Sequence, residues 1–575
     1  MTLRLHPAGL AVMLLLTACR ESSPSAPIPT PDALQAHGQH FEEAVITVAP
    51  GLHVAVGFGI ANSLLIEGDD GAIIVDTMES LDAARRVAAA FAAISDLPVT
   101  AIIYTHSHPD HVQGAAAFIS EGAEIPVYAH AAVAANMDRV ASELQPVITR
   151  RSLRMYGSGL PEGEQSNLGI GAFLALSPET EVGILRPTHS FTDRLQVTIS
   201  GVEMELVHAP GETDDQIFIW LPKYRALLPA DNLYKAFPNL YTLRGTRYRD
   251  PKQWAQSLDA MRAYRPDLLI PSHGRPIIGA DSVMAVLTDY RDAIRYVHDQ
   301  TLRRMNAGQS PDQIAAELTL PPHLAASPYL QPFYGTTAWA ARAVFQGELG
   351  WFSGNISELS PLPPGERGQR WVALAGGAKA LLAEARNALA QDDPQWALEL
   401  TDPLMAIAAD DADVRTLRAD AAEALGARSS NPNARHYYLS VARELRGTWQ
   451  APTRIVNPTP EMLATMPLAT FFDGMAVALD ADAALNTHAA LVFDFPDAAP
   501  HTLIVRRGVA EWRADGQAPD VPSVYRCTVV AQVFKEMLAQ LRNPVLTLAT
   551  EFEMTEGSRL DLLRFLRLFV PLDAE

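Results

Sequence analysis

The stretch Thr105-His106-Ser107-His108-Pro109-Asp110-His111 places three imidazoles and a carboxylate on one short turn. The preceding run, Thr100-Ala101-Ile102-Ile103-Tyr104, is apolar and β-branched and predicts a buried strand, while Val112–Phe118 predicts the start of a helix. Neutral imidazole and carboxylate are ligands that zinc prefers. A solvated histidine-rich loop is the alternative, but four ligand-type side chains among six residues after a buried strand favour a metal centre.

The letters HSHPDH at residues 106–111 resemble the His-x-His-x-Asp-His motif of the metallo-β-lactamase superfamily. The resemblance implies an αββα sandwich with two zinc ions per chain where the two sheets meet. It also implies that Asp76, at the end of a predicted strand, supports the metal loop. The superfamily includes lactamases, thioesterases, lactonases, nucleases and sulfatases, so the fold alone does not name the substrate.

Length and charge limit the possible architectures and partners. A chain of 575 residues is too long for one hydrophobic core and predicts about three or four domains. The formal net charge is −21, which argues against binding to nucleic acid or, through charge, to anionic membranes. An anionic substrate therefore requires a locally basic pocket.

The N-terminus resembles a bacterial lipoprotein signal peptide. A basic start is followed by an apolar core and by Thr17-Ala18-Cys19, which resembles a lipobox. We therefore expect residues 1–19 to be a signal peptide, Cys19 to be acylated, and residues 20–40 to be a flexible tether. An ordinary signal peptide and an uncleaved apolar tail are the alternatives. The expected protein is exported and lipid-anchored, either at the outer membrane facing the periplasm or in the periplasm.

Three folded units are predicted, which makes the chain an α+β multidomain protein. Residues 41–281 alternate strands and helices and form the catalytic unit, and the irregular segment Arg150–Glu181 is predicted to be a loop over its active site. Residues 282–450 are predominantly helical. Residues 451–575 combine amphipathic helices with apolar strands and predict a separate small α+β domain.

Two metals need more ligands than one loop supplies, so further ligands are expected at strand ends. By resemblance, Glu212 stands where most superfamily members carry a third histidine, Asp231 where they carry a bridging carboxylate, and His273 where they carry the last imidazole. The implied first zinc site is His106, His108 and Glu212; the second is Asp110, His111 and His273, with Asp231 shared. Asp110 and Asp231 are the predicted catalytic residues. If Glu212 is not a ligand, the competitors are His208, Asp214 and Asp215.

Glutamate at position 212 narrows the resemblance to the type III alkylsulfatases, exported enzymes that hydrolyse alkyl sulfate esters. Further matches are Asn239–Gly245, Pro271–Pro276 and Tyr290–Gln300. The resemblance implies that the helical middle is a dimerisation domain, giving a homodimer, and that the tail is sterol-carrier-like with an apolar groove. Two positions depart from the family: Asp231 replaces the usual glutamate, and Pro238 replaces a frequent histidine.

A sulfate ester requires a cationic residue beside the metals, and arginine can donate two charge-assisted hydrogen bonds to an oxyanion. Arg244 is the first candidate, with Asn239 and Arg249 as further substrate-binding candidates; surface ion pairs or structural hydrogen bonds are the alternative roles. The predicted function is hydrolysis of alkyl sulfates to alcohol and sulfate, and C–O and S–O cleavage both remain open. The alternatives are a dizinc hydrolase of a neutral ester, lactone or thioester, and a non-catalytic lipid-binding lipoprotein with a vestigial metal site.

Overall fold

A computed structural model describes residues 28–120, 122–177, 179–455 and 458–569. The predicted signal peptide and Cys19 lie outside the described residues, as does the first part of the predicted tether. The tether prediction is wrong from Asp32 onward, because Asp32–Gly38 forms helix α1. This helix buries Leu34 completely, and the Nδ2 of Asn167 donates a hydrogen bond to the Leu34 carbonyl at 2.6 Å.

The first sheet of the catalytic unit contains seven strands within the described residues, in the spatial order of the sequence. The strands are β1 (Ala44–Ala49), β2 (Leu52–Val56), β3 (Ser63–Glu67), β4 (Ala72–Val75), β5 (Val99–Ile103), β6 (Val127–His130) and β7 (His189–Phe191). Strands β1 to β4 are antiparallel, and β4 to β7 are parallel. The parallel connections carry helices α2 (Leu81–Ala92), α3 (Pro109–Val112), α4 (Val133–Arg139) and α5 (Gln145–Tyr156).

The second sheet contains six strands within the described residues, in the order β13-β12-β11-β10-β9-β8. These strands are β8 (Arg194–Ile199), β9 (Val202–His208), β10 (Ile217–Leu221), β11 (Ala226–Leu228), β12 (Leu268–Leu269) and β13 (Ile277–Ile278), and α6 (Pro251–Ala263) precedes β12. Buried residues of both sheets, including Val54, Ile103, Leu206 and Ile219, form one core between them. Helices cover the two outer faces, which confirms the predicted αββα sandwich.

The segment Arg150–Glu181 was predicted to be a loop over the active site, but its first residues form a helix. Residues up to Tyr156 belong to α5, which buries Leu153 and Met155 and ends at Gly157 in the left-handed conformation (φ 67°). Beyond Gly157 the described residues of this segment form no regular helix or strand. They still pack closely, because Leu168 and Ile170 share a buried cluster with Tyr334.

The middle of the chain is helical and confirms the predicted class. Its helices are α7 (Ala280–Asn306), α8 (Pro311–Glu317), α9 (Pro322–Ala325), α10 (Thr337–Leu349), α11 (Pro364–Leu374), α12 (Ala378–Ala390), α13 (Pro394–Ile407), α14 (Ala412–Arg428) and α15 (Pro432–Leu445). Most begin with a proline in the first turn, where the missing N–H costs nothing. Among the described residues, no helix has the length and apolar character needed to cross a membrane.

The C-terminal domain has a five-stranded sheet within the described residues, in the order β16-β15-β14-β17-β18. Its strands are β14 (His488–Asp494), β15 (His501–Arg506), β16 (Val509–Arg513), β17 (Ser523–Thr528) and β18 (Glu553–Glu556). Its helices are α16 (Pro460–Thr465), α17 (Leu468–Val477), α18 (Ala531–Leu538), α19 (Pro544–Thr550) and α20 (Arg559–Leu566). The domain has its own core, which includes Phe472, Phe493 and Phe534.

An ion pair joins the catalytic unit to the helical unit. The Nε of Arg154 on α5 donates to both carboxylate oxygens of Glu444 on α15, at 3.1 and 3.0 Å, and both side chains are mostly buried. Helix α5 packs directly against α15 at this point. The contact therefore connects the wall of the catalytic unit to the last long helix of the middle domain.

We expect Arg154→Gln to lower the melting temperature of the full chain, since losing charged hydrogen bonds here costs about 1–3 kcal/mol. Arg370→Gln is the control, because Arg370 pairs with Glu366 on an exposed helix face and such pairs contribute about 0.3–0.5 kcal/mol. Thermal unfolding of both variants measures the difference. Equal shifts would contradict a stabilising role for the Arg154 contact.

Candidate metal centre and active site

The seven predicted metal-ligand side chains come together at one edge of the sandwich. His106 and His108 follow β5, Asp110 and His111 lie on α3, and the other three come from loops after strands of the second sheet. Their ligand-type atoms form two groups, one of His106, His108, Glu212 and Asp231, and one of Asp110, His111 and His273; within each group these atoms lie within 4.8 Å of one another.

Asp231 lies between the two groups. Its Oδ2 is 3.7 Å from the Nε2 of His106, 3.6 Å from the Nε2 of His111 and 3.1 Å from the Nε2 of His273. Burial alone would raise the pKa of Asp231, but the surrounding imidazoles outweigh burial and hold that pKa well below its usual range. The carboxylate therefore stays ionised at a position from which it can contact cations on both sides.

The site contains buried polar atoms that lack a hydrogen-bond partner among the described residues. They include the Nε2 of His111 and the Oδ1 of Asp231. Leaving such atoms unpaired costs free energy, and a divalent cation coordinated by them removes that cost. Imidazole and carboxylate donors at these spacings fit a pair of borderline divalent metal ions.

Asp76 holds the metal loop in place. It lies after β4 in a left-handed conformation (φ 58°) and accepts hydrogen bonds from the backbone N–H and the hydroxyl of Thr105, at 2.9 and 2.8 Å. Its Oδ2 also lies 2.8 Å from the Nδ1 of His111 and accepts from the Ser272 hydroxyl at 3.0 Å. The supporting position that the family resemblance implied for Asp76 is thus occupied by a fully buried carboxylate.

Glu212 is positioned by a side chain that the sequence did not single out. The Oδ1 of Asn232 accepts from the Glu212 backbone N–H at 3.3 Å, and its Nδ2 donates to the Ala209 carbonyl at 2.8 Å. A Cβ at position 211 would lie 2.0 Å from the same Asn232 Oδ1, so the close approach requires Gly211. Of the competitors, His208 stacks on His130, and Asp214 and Asp215 accept from Asn136 instead.

The three predicted substrate-binding residues lie beside this centre in two different environments. Arg244 is half-buried, with its Nη2 2.9 Å from the Nε2 of His108. Arg249 is buried and donates to Glu212 at 2.8 Å. Asn239 is also buried, and both polar atoms of its side-chain amide lack a hydrogen-bond partner among the described residues.

A cavity of about 1500 Å³ opens from the metal centre. Its polar end contains His108, Asp110, Glu212 and Arg244. Apolar residues of the catalytic unit and of the C-terminal domain line much of the remainder; those of the C-terminal domain include Met462, Met466, Phe471, Met475, Leu566 and Phe569. Helix α17 contributes to this wall and packs against the segment after α4. The tail therefore forms part of the same cavity as the metal centre.

Sequence reasoning missed three polar groups that line the cavity. The hydroxyls of Tyr156 and Tyr334 are 3.2 Å apart although the residues are 178 positions apart in the chain. Glu79, close after Asp76, is fully buried, and burial raises its pKa to about 7. Glu79 follows a strand end, which was a usable signal; the tyrosines gave none, because only tertiary packing brings them together.

Comparison with known proteins agrees with this arrangement. Residues 56–273 match the model of the metallo-beta-lactamase superfamily, residues 310–448 that of alkyl sulfatase dimerisation, and residues 457–575 that of the alkyl sulfatase C-terminal domain. The helical middle and the tail thus match domains of the family that the sequence resembled.

Similar proteins extend over most of the chain. A linear primary-alkylsulfatase of Pseudomonas sp. (strain ATCC 19151) is 39% identical over 475 residues, 80% of this chain and 89% of the relative. An (R)-specific secondary-alkylsulfatase of Pseudomonas sp. is 33% identical over 88% of this chain and 76% of its own length. The solved structure of the stereoselective inverting sec-alkylsulfatase Pisa1 from Pseudomonas sp. superposes with a TM-score of 0.85 at 29% identity, covering 95% of this chain and 88% of that one. The chain belongs to the alkylsulfatase family of the metallo-β-lactamase superfamily.

Proposed function

We propose that this protein hydrolyses alkyl sulfate esters to an alcohol and inorganic sulfate at a site that holds two zinc ions per chain. The observation that carries the proposal is the continuity of the cavity, which has four of the seven ligand side chains and Arg244 at one end and many apolar side chains along the rest. This arrangement matches a substrate with an anionic head and an alkyl chain. A neutral ester, lactone or thioester would leave the arginine without a counter-charge.

A vestigial metal site on a lipid-binding scaffold is the less favoured alternative. All seven ligand positions carry competent side chains, and Asp76, Asn232 and the Ile60 carbonyl hold them in position. A site that bound no metal would keep buried, unpaired imidazole and carboxylate atoms at a cost in stability. Relatives over most of the chain length are named alkylsulfatases, which also favours the enzyme.

The residues around the site orient its ligands. The Nδ1–H of His111 faces Asp76 and that of His273 faces the Ile60 carbonyl at 2.8 Å, which leaves each Nε2 directed at Asp231. When bound, a divalent metal pair acts as a Lewis acid that polarises the ester and makes water a better nucleophile at neutral pH. In the arrangement that we propose for catalysis, the carboxylates of Asp110 and Asp231 would place negative charge beside the two metal ions.

Substrate binding follows from the two ends of the cavity. Arg244 can donate two parallel hydrogen bonds to sulfate oxygens, and the hydroxyls of Tyr156 and Tyr334 line the same end. The methionine and phenylalanine side chains of the C-terminal domain can cover the alkyl chain, and flexible methionines adapt to different chain shapes. Burial of the alkyl chain would therefore keep the sulfate group of the substrate close to the metal centre.

The proposal includes a homodimer formed through the helical domain. This domain exposes large apolar side chains on its surface: Trp351 is 68% exposed, Ile356 81%, Trp371 59% and Leu374 79%. Exposed apolar side chains of this size favour a protein interface. The match of residues 310–448 to the alkyl sulfatase dimerisation model supports the same assignment.

The proposal also includes export and a lipid anchor on Cys19, at the outer membrane facing the periplasm. Its support is the sequence alone, a basic start, an apolar core and the Thr17-Ala18-Cys19 motif. An anchor there would hold the enzyme where detergent-like sulfates enter the cell envelope.

Activity on a series of linear alkyl sulfates is the direct test of function. We expect kcat/KM to rise with chain length by up to about fourfold per methylene, the equivalent of ~0.8 kcal/mol of burial, until the cavity is filled. A chelator should abolish the activity and zinc should restore it. Fatty esters of matched length are the controls; equal turnover of esters, or activity that survives the chelator, would contradict the proposal.

Isotope-labelled water in the same assay shows whether the C–O or the S–O bond breaks.

Arg244→Ala should raise KM for an alkyl sulfate by about 10- to 100-fold, which corresponds to the loss of charged hydrogen bonds. The KM for a neutral ester of the same chain length should change little. Arg225→Ala is the matched control, because Arg225 is 51% exposed, pairs with Asp267 and lies outside the cavity lining. Equal losses for the charged and the neutral substrate would remove sulfate binding as the role of Arg244.

Cys19→Ser should release the protein from the membrane fraction when the full chain is expressed in a Gram-negative host. Removal of the acyl chains eliminates their burial in the bilayer. Fractionation followed by immunoblotting measures the distribution. Cys527→Ser is the control, since that thiol is buried in the C-terminal domain. Unchanged membrane association of Cys19→Ser would contradict the anchor.

A further inference from the structure

Glu212 and Arg249 form a buried ion pair at the edge of the metal centre. The Nη1 of Arg249 donates to the Oε1 of Glu212 at 2.8 Å, and the side chains are 2% and 3% exposed. The same Nη1 donates to the Asn239 carbonyl at 2.5 Å, which fixes the guanidinium from a second direction. Arg249 was predicted to bind substrate, but this contact connects it to a predicted metal ligand.

The carboxylate of Glu212 is divided between two neighbours. Its Oε1 faces Arg249, and its Oε2 lies 3.4 Å from the Nδ1 of His108, inside the group of His106, His108, Glu212 and Asp231. One oxygen is therefore engaged by the guanidinium, while the other is available to a cation in the group. A partial rotation of the carboxylate would break the Arg249 contact, so the ion pair holds the carboxylate in the orientation that directs one oxygen at the centre.

The pair also decides the charge of this half of the centre. Neutral His106 and His108 contribute no charge, whereas Glu212 contributes one negative charge and Asp231 another. An arginine side chain keeps its positive charge in proteins, so the buried Arg249 cancels the charge of the buried Glu212. Electrostatic interactions are strong there, so the cancellation changes how firmly a divalent cation is held.

We propose that Arg249 is a positioning residue that orients Glu212 and neutralises it, so that the metal position of His106, His108 and Glu212 behaves as one with three neutral ligands. This inference rests on the proposed metal-dependent hydrolysis. Without the guanidinium, Glu212 would donate more negative charge to the cation. The cation would be bound more tightly and would be a weaker Lewis acid.

Two other roles for Arg249 give different results. If Arg249 binds the substrate through its Nε and Nη2, which lack partners among the described residues, its loss raises KM and leaves metal affinity unchanged. If it only supports the local structure, its loss weakens both metal binding and turnover. The proposed role alone combines tighter metal binding with slower turnover.

The first experiment measures Zn²⁺ affinity of the full chain by competition with a chromophoric chelator, together with kcat and KM for an alkyl sulfate. For Arg249→Gln we expect one of the two Zn²⁺ sites to tighten by about tenfold, as removal of a nearby positive charge predicts, with a lower kcat and a KM close to wild type. Arg249→Lys keeps the charge and should restore most of the wild-type affinity.

Arg262→Gln is the matched control, because the Arg262 ion pair with Asp259 lies on α6 outside the cavity lining. Unchanged or weaker Zn²⁺ binding by Arg249→Gln would overturn the inference. A wild-type protein that binds no Zn²⁺ would instead contradict the proposed function, so the two failures are distinguishable.

A double mutant tests the same charge balance independently. Glu212→His substitutes a neutral ligand and leaves Arg249 as an unpaired buried cation, so we expect Zn²⁺ binding at one site to weaken by about 100-fold. Adding Arg249→Gln removes that cation and should recover about tenfold of the affinity. Far-ultraviolet circular dichroism checks that each variant folds. No recovery of Zn²⁺ affinity in the double mutant, or a further weakening, would overturn the proposal.

Discussion

The arrangement of the metal-ligand loops at the edge of the sandwich depends on the buried carboxylate of Asp76. It accepts hydrogen bonds from the loop after β5 through Thr105 and from the loop after β12 through Ser272, and it contacts the ring of His111. These loops belong to different sheets, so one side chain joins the two halves of the sandwich where their ligands meet. A fully buried carboxylate is expensive unless its oxygens are well satisfied, and here they are.

Next to the Asp76 contacts, the molecule combines two kinds of binding surface. The sandwich supplies polar ligands at strand ends, where loops from both sheets converge, and the C-terminal domain supplies apolar side chains from α16, α17 and α20. Neither unit alone encloses the cavity. One cavity can therefore hold a polar head and an alkyl chain, because the C-terminal domain packs against the catalytic unit.

The sequence predicted the metal-ligand residues and the αββα layers more accurately than it predicted the segments that surround them. Local spacing in residues 106–111 was enough to identify the metal loop, and the apolar run Thr100–Tyr104 identified the strand that precedes it. It erred where packing overrides local pattern: Asp32–Gly38 is a helix because Leu34 is buried by distant residues, and the segment after Arg150 begins as helix α5.

By itself, the sequence determined which side chains can bind metal and that they follow strand ends, because ligand chemistry and strand periodicity are local properties. Only the tertiary structure decided that Arg249 faces Glu212 and not open solvent, that Asn232 supports Glu212, and that Tyr156 meets Tyr334. These contacts join residues that are distant in the chain, and their geometry follows from the packing of whole sheets and domains. No local sequence pattern predicts the geometry of these contacts.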